Sequence, residues 1–255
     1  EFIEELIVTP KIKQLAKRQL KDYRNKKPGT LFSDPTLNLT IEQAYALQDS
    51  VTKLRVTEGE KITGYKVGCV GPGTTKQFGM KGPIRGTLFL NEVHKSGSKL
   101  NKSAFCNLAI EGEMAFKINN KCEVDIIFPV IELHNFIFRA HQKTLTELIS
   151  NNGINAGIVL PSIDQKLTEP QFHDGSILSI LINNIKIGSS ALWPNQGDPK
   201  TTLDWVKGHL LKYGLFLQPE QIILAGTTLG LYPVQSGDDI KVLVDDQIKV
   251  QCTII

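Results

Sequence analysis

Four cysteines among 255 residues are too few and too scattered for a disulfide framework. Cys69, Cys106, Cys122 and Cys252 form no Cys-x-x-Cys pair, which argues against a zinc knuckle or thioredoxin-type chemistry. They read as free thiols in a reducing compartment. Long apolar runs are missing too, since no stretch nears the ~18 residues of a membrane-spanning helix. Charge of one sign is scarce: 29 basic residues against 26 acidic ones leave a net charge of +3. That is too little for a protein whose main work is coating nucleic acid. The sequence has no Gly-x-Ser-x-Gly elbow, no His-Glu-x-x-His and no P-loop. A basic segment followed by an apolar one is not visible at the start, so a cytoplasmic location is expected. The missing first methionine leaves a removed leader open. What is plentiful is apolar material, 41% of residues, which excludes disorder as the dominant state.

The pattern begins with two helices. Thr9-Pro10 suits an N-cap and first helical position, and Ile12, Leu15, Ala16 and Leu20 follow at helical spacing. Residues 25–38 read as a loop. Thr40 caps a second helix whose stripe is Ala44, Leu47, Val51 and Leu54, and Gly59 ends it. From Lys61 the chain changes to short β-type runs: 61–70, 87–90, 108–118, 123–130, 155–160 and 177–187. Gly71-Pro72-Gly73 reads as a break. Residues 143–150 suit a short helix. Residues 198–213 suit a longer one, with Leu203, Val206, Leu210 and Leu211 on one side. A hairpin of 240–244 and 248–255 turns at Asp245-Asp246. No regular βαβα alternation is present, which disfavours Rossmann and TIM architectures. The expectation is one catalytic domain over 1–255, with a helical cap at 1–60 and a β-rich body at 61–255.

Glu111-Gly112-Glu113 lies in a candidate strand. Two residues apart on a strand, both carboxylates share one face, with Cα atoms about 6.5–7 Å apart. Like charges so placed repel unless something positive lies between them. A divalent cation suits such oxygen donors, while a solvent-facing edge strand is the plainer alternative. Glu132 ends a strand-like run and can add a third carboxylate or be a turn residue. Lys66, between Gly64 and Gly68, can meet an anionic substrate or move a proton, or be an ordinary surface lysine. Gly226-Thr227-Thr228 can hold a carboxylate at a strand end or be a plain turn. The histidines are His94, His134, His141, His173 and His209. His134 stands two residues from Glu132 and would share its face in an extended chain, as a supporting or surface residue.

Taken in order, Ala44-Tyr45-Ala46-Leu47-Gln48, Gly64-Tyr65-Lys66-Val67-Gly68, Pro83-Ile84-Arg85-Gly86, Glu111-Gly112-Glu113-Met114-Ala115-Phe116, Pro129-Val130-Ile131-Glu132 and Gly226-Thr227-Thr228 carry a resemblance. The chain resembles the 2-keto-4-pentenoate hydratase and 4-oxalocrotonate decarboxylase group of the fumarylacetoacetate hydrolase superfamily, over nearly its whole length. The resemblance implies an α+β fold, a mixed β-sandwich or β-roll with N-terminal helices. It implies Mg²⁺ or Mn²⁺ held by Glu111, Glu113 and Glu132, with Lys66 near the substrate. It implies a lyase that hydrates a 2-hydroxy-dienoate or 2-oxo-enoate in the breakdown of aromatic compounds. The alternatives are a decarboxylase, an acylpyruvate-type hydrolase, or a non-catalytic relative that binds a small 2-oxo acid. It also implies a homo-oligomer, and possible association with a related hydratase or decarboxylase subunit. No nucleic-acid or membrane partner is expected. The group commonly has an acid between the proline and glycine of the 83–86 segment, where this chain has Ile84 and Arg85. It commonly reads Ala-Asp-Asn where this chain has Ser150-Asn151-Asn152. Arg85, Asn152, Thr227 and Thr228 are the expected substrate-binding residues, with Arg85 favouring a dicarboxylate.

Overall fold

Thr9 starts the first helix, α1 (Pro10–Arg24): its hydroxyl accepts from the Ile12 amide at 3.3 Å, and Pro10 takes a position that has no amide to lose. In α2 (Ile41–Thr57), Thr40 and Gln43 cap each other's backbone amides reciprocally. Ile12, Ala16, Ala46 and Leu47 close these two helices on one another, over Leu31 and Phe32. The computed structural model describes residues 8–78, 82–162, 172, 175–194 and 198–255. Among them no helix is long and apolar enough to cross a membrane.

The β body follows. Its strands are β1 (Ile62–Gly68), β2 (Ile84–Phe89), β3 (Val93–Lys95), β4 (Ser98–Leu100), β5 (Leu108–Ile118), β6 (Val124–Asn135) and β7 (Asn155–Leu160). They continue with β8 (Ile177–Ile182), β9 (Ile185–Ala191), β10 (Ile222–Leu224), β11 (Tyr232–Pro233), β12 (Asp239–Val244) and β13 (Gln247–Ile254). A curled mixed sheet runs β2-β1-β10-β5-β6-β7-β3, with β11 added to β5, and a second sheet runs β4-β13-β12-β8-β9. The expected α+β architecture with N-terminal helices is the one observed.

The two sheets pack through alternation. Leu108, Ile110 and Met114 of β5 meet Ile180 of β8, Val242 of β12 and Val250 of β13 in one buried cluster. Gly112 is on that same side. A Cβ there would stand 3.0 Å from Val242 Cγ2, so the glycine lets the second sheet come close. The opposite side of β5 carries Ala109, Glu111, Glu113 and Ala115.

Several elements differ from the sequence expectation. The 123–130 run is a longer strand, β6, that continues to Asn135. Pro129 is tolerated because β7 pairs with β6 only from Ile131 onward. The 177–187 run is two strands, since Asn183 and Asn184 adopt φ of 53° and 63° and turn the chain. A short helix, α3 (Pro72–Phe78), follows β1 where the sequence reads only as a break. α4 (Leu145–Ser150) begins at its Thr144 cap. In α5 (Pro199–Lys212), Leu203, Val206 and Leu210 are buried but Leu211 is exposed, one residue round the helix from the packed face.

Candidate active site

The site is built on the side of the large sheet that faces away from the second one. β5 and β6 pair antiparallel with Glu111 directly opposite Glu132 and Ala109 opposite His134. Paired residues share a face, so Glu111, Glu113, Glu132 and His134 stand together. His134 Nε2 is 3.1 Å from Glu111 Oε2 and 3.4 Å from Glu132 Oε2. Lys66 arrives from two strands away, because β1 pairs with β10 at Lys66–Leu224 and β10 with β5 at Leu224–Ala115. Its Nζ lies 2.8 Å from Glu132 Oε1 and donates to the Gly153 carbonyl at 3.0 Å. Asn155 Nδ2 donates to the same Glu132 oxygen at 2.8 Å.

Glycines make the path for the lysine. A Cβ on Gly68, Gly86 or Gly153 would come within 3.0–3.2 Å of the Lys66 side chain. At Gly86 it would also strike the Asn152 carbonyl at 2.6 Å. Lys66 is buried and ion-paired with Glu132, and Glu113 and Glu132 are buried, so the surface alternatives for these residues do not hold.

Carboxylates outnumber cations here. Burial disfavours the charged form of Lys66, but Glu132, Glu111 and Glu113 outweigh it and hold the ammonium above its usual range. Burial and the charge of Glu132 push the Glu113 carboxyl well above the ordinary value. Burial acts the same way on Glu132, yet His134 and Lys66 overcome it and take that carboxyl down to about 2. Glu113 Oε2 accepts from the Gly226 amide at 2.6 Å, while its Oε1 is buried with no hydrogen-bond partner among the described residues. An orphaned buried carboxylate oxygen beside two more carboxylates fits a hard-cation site. Ligand atoms of Glu111, Glu132 and His134 all lie within 4.8 Å of one another. The carboxylate oxygens among these donors suit Mg²⁺, Mn²⁺ or Ca²⁺.

The remaining expected residues are placed differently. Arg85 neighbours Gly86, the partner of Lys66, and so points to the other face of β1–β2. There it is fully buried, forks onto Asp49 at 2.7 and 2.8 Å, and donates to Gln48 Oε1 at 2.9 Å. It is not brought to the carboxylates. The Asn152 side chain is engaged with the Thr87 backbone, accepting from its amide at 2.6 Å and donating to its carbonyl at 2.8 Å. Thr227 Oγ1 accepts from the Leu229 amide, and Thr228 is exposed. The carboxylate met at the 226–228 turn is the protein's own Glu113.

His134 and Asn155 are what sequence reasoning left out or set aside. The spacing of His134 from Glu132 was the available signal, but only the β5–β6 register shows that it lies inside the cluster. His209 packs in a ring stack with Tyr45, Trp205 and Tyr213, where burial and the charge of Arg85 push its pKa down to about 4. His173 lies outside the described residues.

No protein-family model matches the chain. A 2-oxo-hept-4-ene-1,7-dioate hydratase of Escherichia coli is 25% identical over 238 residues, covering 85% of this chain and 88% of the relative. The 4-oxalocrotonate decarboxylase of Pseudomonas putida G7 has been solved with calcium and acetate and with magnesium and adipate. It superposes with a TM-score of 0.82 at 19% identity, over 96% of this chain and 97% of its own. A Yersinia pestis protein ascribed to the fumarylacetoacetate hydrolase family superposes at 0.53, with 16% identity, over 75% of this chain and 92% of its own. The chain has the fumarylacetoacetate hydrolase fold. Another structure of this fumarylacetoacetate hydrolase type is a fumarylpyruvate hydrolase of Pseudomonas aeruginosa, solved with Mn²⁺ and pyruvate. It superposes at 0.55, with 13% identity, over 75% of this chain and 88% of its own. The distant homologues are 2-keto-4-pentenoate hydratases, among them one of Burkholderia vietnamiensis that is 24% identical over 94% of this chain and 92% of its own, and a 4-oxalocrotonate decarboxylase.

Proposed function

We propose that the protein is a divalent-metal-dependent lyase that adds water to a 2-hydroxy-dienoate or 2-oxo-enoate, in the breakdown of ring-cleavage products of aromatic compounds. The observation that carries this reading is Lys66 Nζ held 2.8 Å from Glu132 Oε1 among buried carboxylates. Glu111, Glu132 and His134, with Glu113 beside them, would hold Mg²⁺ or Mn²⁺. When bound, the ion supplies positive charge that stabilises an enolate oxygen of a 2-oxo acid.

The protein's own groups supply the rest. Lys66 Nζ carries a proton and is aimed by Glu132 and the Gly153 carbonyl. It is the group to give that proton to the far carbon of the conjugated system, or to take it back. Asn155 fixes the Glu132 carboxylate, and Asn152 ties the Gly153 loop to β2, so the lysine has one place to go. Water then adds to the carbon of the double bond left electron-poor by conjugation with the 2-oxo group. The chain acts as one catalytic domain in the cytoplasm, as a homo-oligomer able to associate with a related subunit.

Decarboxylation is the second reading, and Ile84 favours it. Its Cδ1 lies beside the Lys66 path, 3.5 Å from where a Cβ of Gly153 would stand. An apolar wall there suits departure of neutral CO₂, with Lys66 protonating the carbon left behind, and needs no group to activate water.

The test is a metal-dependent assay with 2-hydroxypenta-2,4-dienoate and with a 2-oxo-hexenedioate. Loss of the dienol absorbance without CO₂ supports hydration; release of CO₂ supports the second reading. No turnover of either with Mg²⁺ or Mn²⁺ present overturns both. For the site, Glu111→Gln with Glu132→Gln should abolish Mn²⁺ binding in calorimetry, and unchanged affinity refutes the ligand assignment.

A further inference from the structure

The turn that carries the Gly153 carbonyl is not one the chain would hold unaided. Asn152, Gly153 and Ile154 stand in the left-handed region in succession, with φ of 59°, 60° and 58°. For a β-branched residue such as Ile154 that conformation is an outlier, kept only where the surroundings over-determine it. The surroundings supply two ties to β2. In one, the Asn152 side chain holds the Thr87 backbone at 2.6 and 2.8 Å. In the other, Gln48 of α2 donates from Nε2 to the Ile149 carbonyl at 2.7 Å and to the Arg85 carbonyl at 3.1 Å.

Arg85 and Thr87 flank Gly86, and Gly86 pairs with Lys66. The turn therefore hangs from β2 on both sides of the residue opposite the lysine. It passes close over that residue, since a Cβ on Gly86 would stand 2.6 Å from the Asn152 carbonyl oxygen. The Asn152 tie alone would let the segment pivot. A second tie, earlier in the turn at Ile149, fixes the plane of the peptide whose carbonyl meets Lys66 Nζ at 3.0 Å.

Gln48 suits this task. It is buried, and its Oε1 accepts from Arg85 Nη1 at 2.9 Å, so the two hydrogens on Nε2 face the two carbonyls. Gln19 of α1 makes a looser version of the same contact. Its Nε2 donates to the Ser150 carbonyl at 3.2 Å and to Asn151 Oδ1, but its Oε1 has no hydrogen-bond partner among the described residues. From this geometry we infer that Gln48 is a positioning residue: through Ile149 it sets the turn whose Gly153 carbonyl aims Lys66, rather than acting through Arg85. This gives a task to the last residue of the Ala44-Tyr45-Ala46-Leu47-Gln48 segment. The inference rests on the lyase reading, in which Lys66 moves the proton.

Steady-state kinetics and crystals of Gln48 variants test it. Gln48→Met removes every hydrogen bond of the side chain at similar volume. Gln48→Glu keeps an acceptor for Arg85 Nη1 and loses both donors. Both should lower kcat at least about tenfold, as a small misplacement of a reacting group does, with KM and Mn²⁺ affinity within about twofold of the wild type. In crystals of Gln48→Met the Gly153 carbonyl should lie beyond hydrogen-bond reach of Lys66 Nζ, with the Lys66–Glu132 pair intact. Wild-type kcat in Gln48→Met overturns the inference, and so does an unmoved Gly153 carbonyl. Wild-type kcat in Gln48→Glu overturns it too, because Gln48 would then serve only Arg85. Where Gln48→Met fails to fold, Gln48→Asn, one methylene shorter toward Ile149, gives the same readouts. A wild type that turns over neither substrate ends the lyase reading, and the crystals then decide the positioning by themselves.

Discussion

Two buried cations stand back to back on the β1–β2 pair, and they are treated in opposite ways. The charge of Arg85 is matched: one carboxylate takes its fork, Gln48 takes another donor, and the Tyr45 and Tyr213 rings flank it at 4.9 and 5.3 Å, leaving only its buried Nε without a hydrogen-bond partner among the described residues. Lys66, on the other face, is shared among Glu132 and two further carboxylates that it cannot neutralise alone. A cation whose charge is matched ties α2 to the sheet. The mismatched set keeps an unspent negative charge in a buried place, which is costly unless another cation joins it. The first arrangement is structural, and the second is prepared for a ligand.

The largest break in this comparison should come from Lys66→Met. It keeps the volume, removes the mobile proton, and should lower kcat by about 10²–10⁴-fold, with the fold retained by circular dichroism. Arg85→Met should do the reverse: it should cost about 3 kcal/mol of unfolding free energy in denaturant titrations, because Asp49 loses its partner. Asp49 keeps some exposure, which places the cost at the low end for a buried pair. Activity measured well below the melting temperature should fall much less than for Lys66→Met. A variant of Lys66 that mainly unfolds, or one of Arg85 that mainly inactivates, would erase the distinction.

A smaller effect sharpens the mismatched side. Glu113 has a raised pKa in the fold, so metal-free protein loses stability as pH climbs above about 4.5, the ordinary glutamate value. Glu132 is held down to about 2, so its contribution is present above about 4.5 and is lost as pH falls toward about 2. Thermal melts in chelator at pH 8 should therefore move in opposite directions: upward for Glu113→Gln and downward for Glu132→Gln. Movement of both in the same direction would mean that the two acids share one environment.

Much of this was legible in the sequence, and the failures are instructive. β5 was readable to the residue because its alternation is strict, and the terminal hairpin because Asp245-Asp246 suits a tight turn. The shared face of Glu111 and Glu113 follows from period two alone. That Glu132 stands opposite Glu111 does not, since register is a property of two strands. The hydrophobic run up to Val130 hid the last turn of pairing, and with it His134. Arg85 misled because side-chain direction depends on which face of β2 it occupies. That face is fixed by the pairing of Gly86 with Lys66, far away in sequence.

Gly112 couples the chemistry to the architecture. It touches none of the polar groups, yet it lies between the two glutamates with the second sheet against its back. A random-mutagenesis screen for lost metal affinity should flag large side chains at position 112, because a Cβ there already stands 3.0 Å from Val242 Cγ2 and a longer side chain pushes the sheets apart and moves both carboxylates. Loss-of-function mapping would then draw the metal site one layer thicker than it is, and second-site revertants should appear at Val242, on the far sheet, as smaller residues.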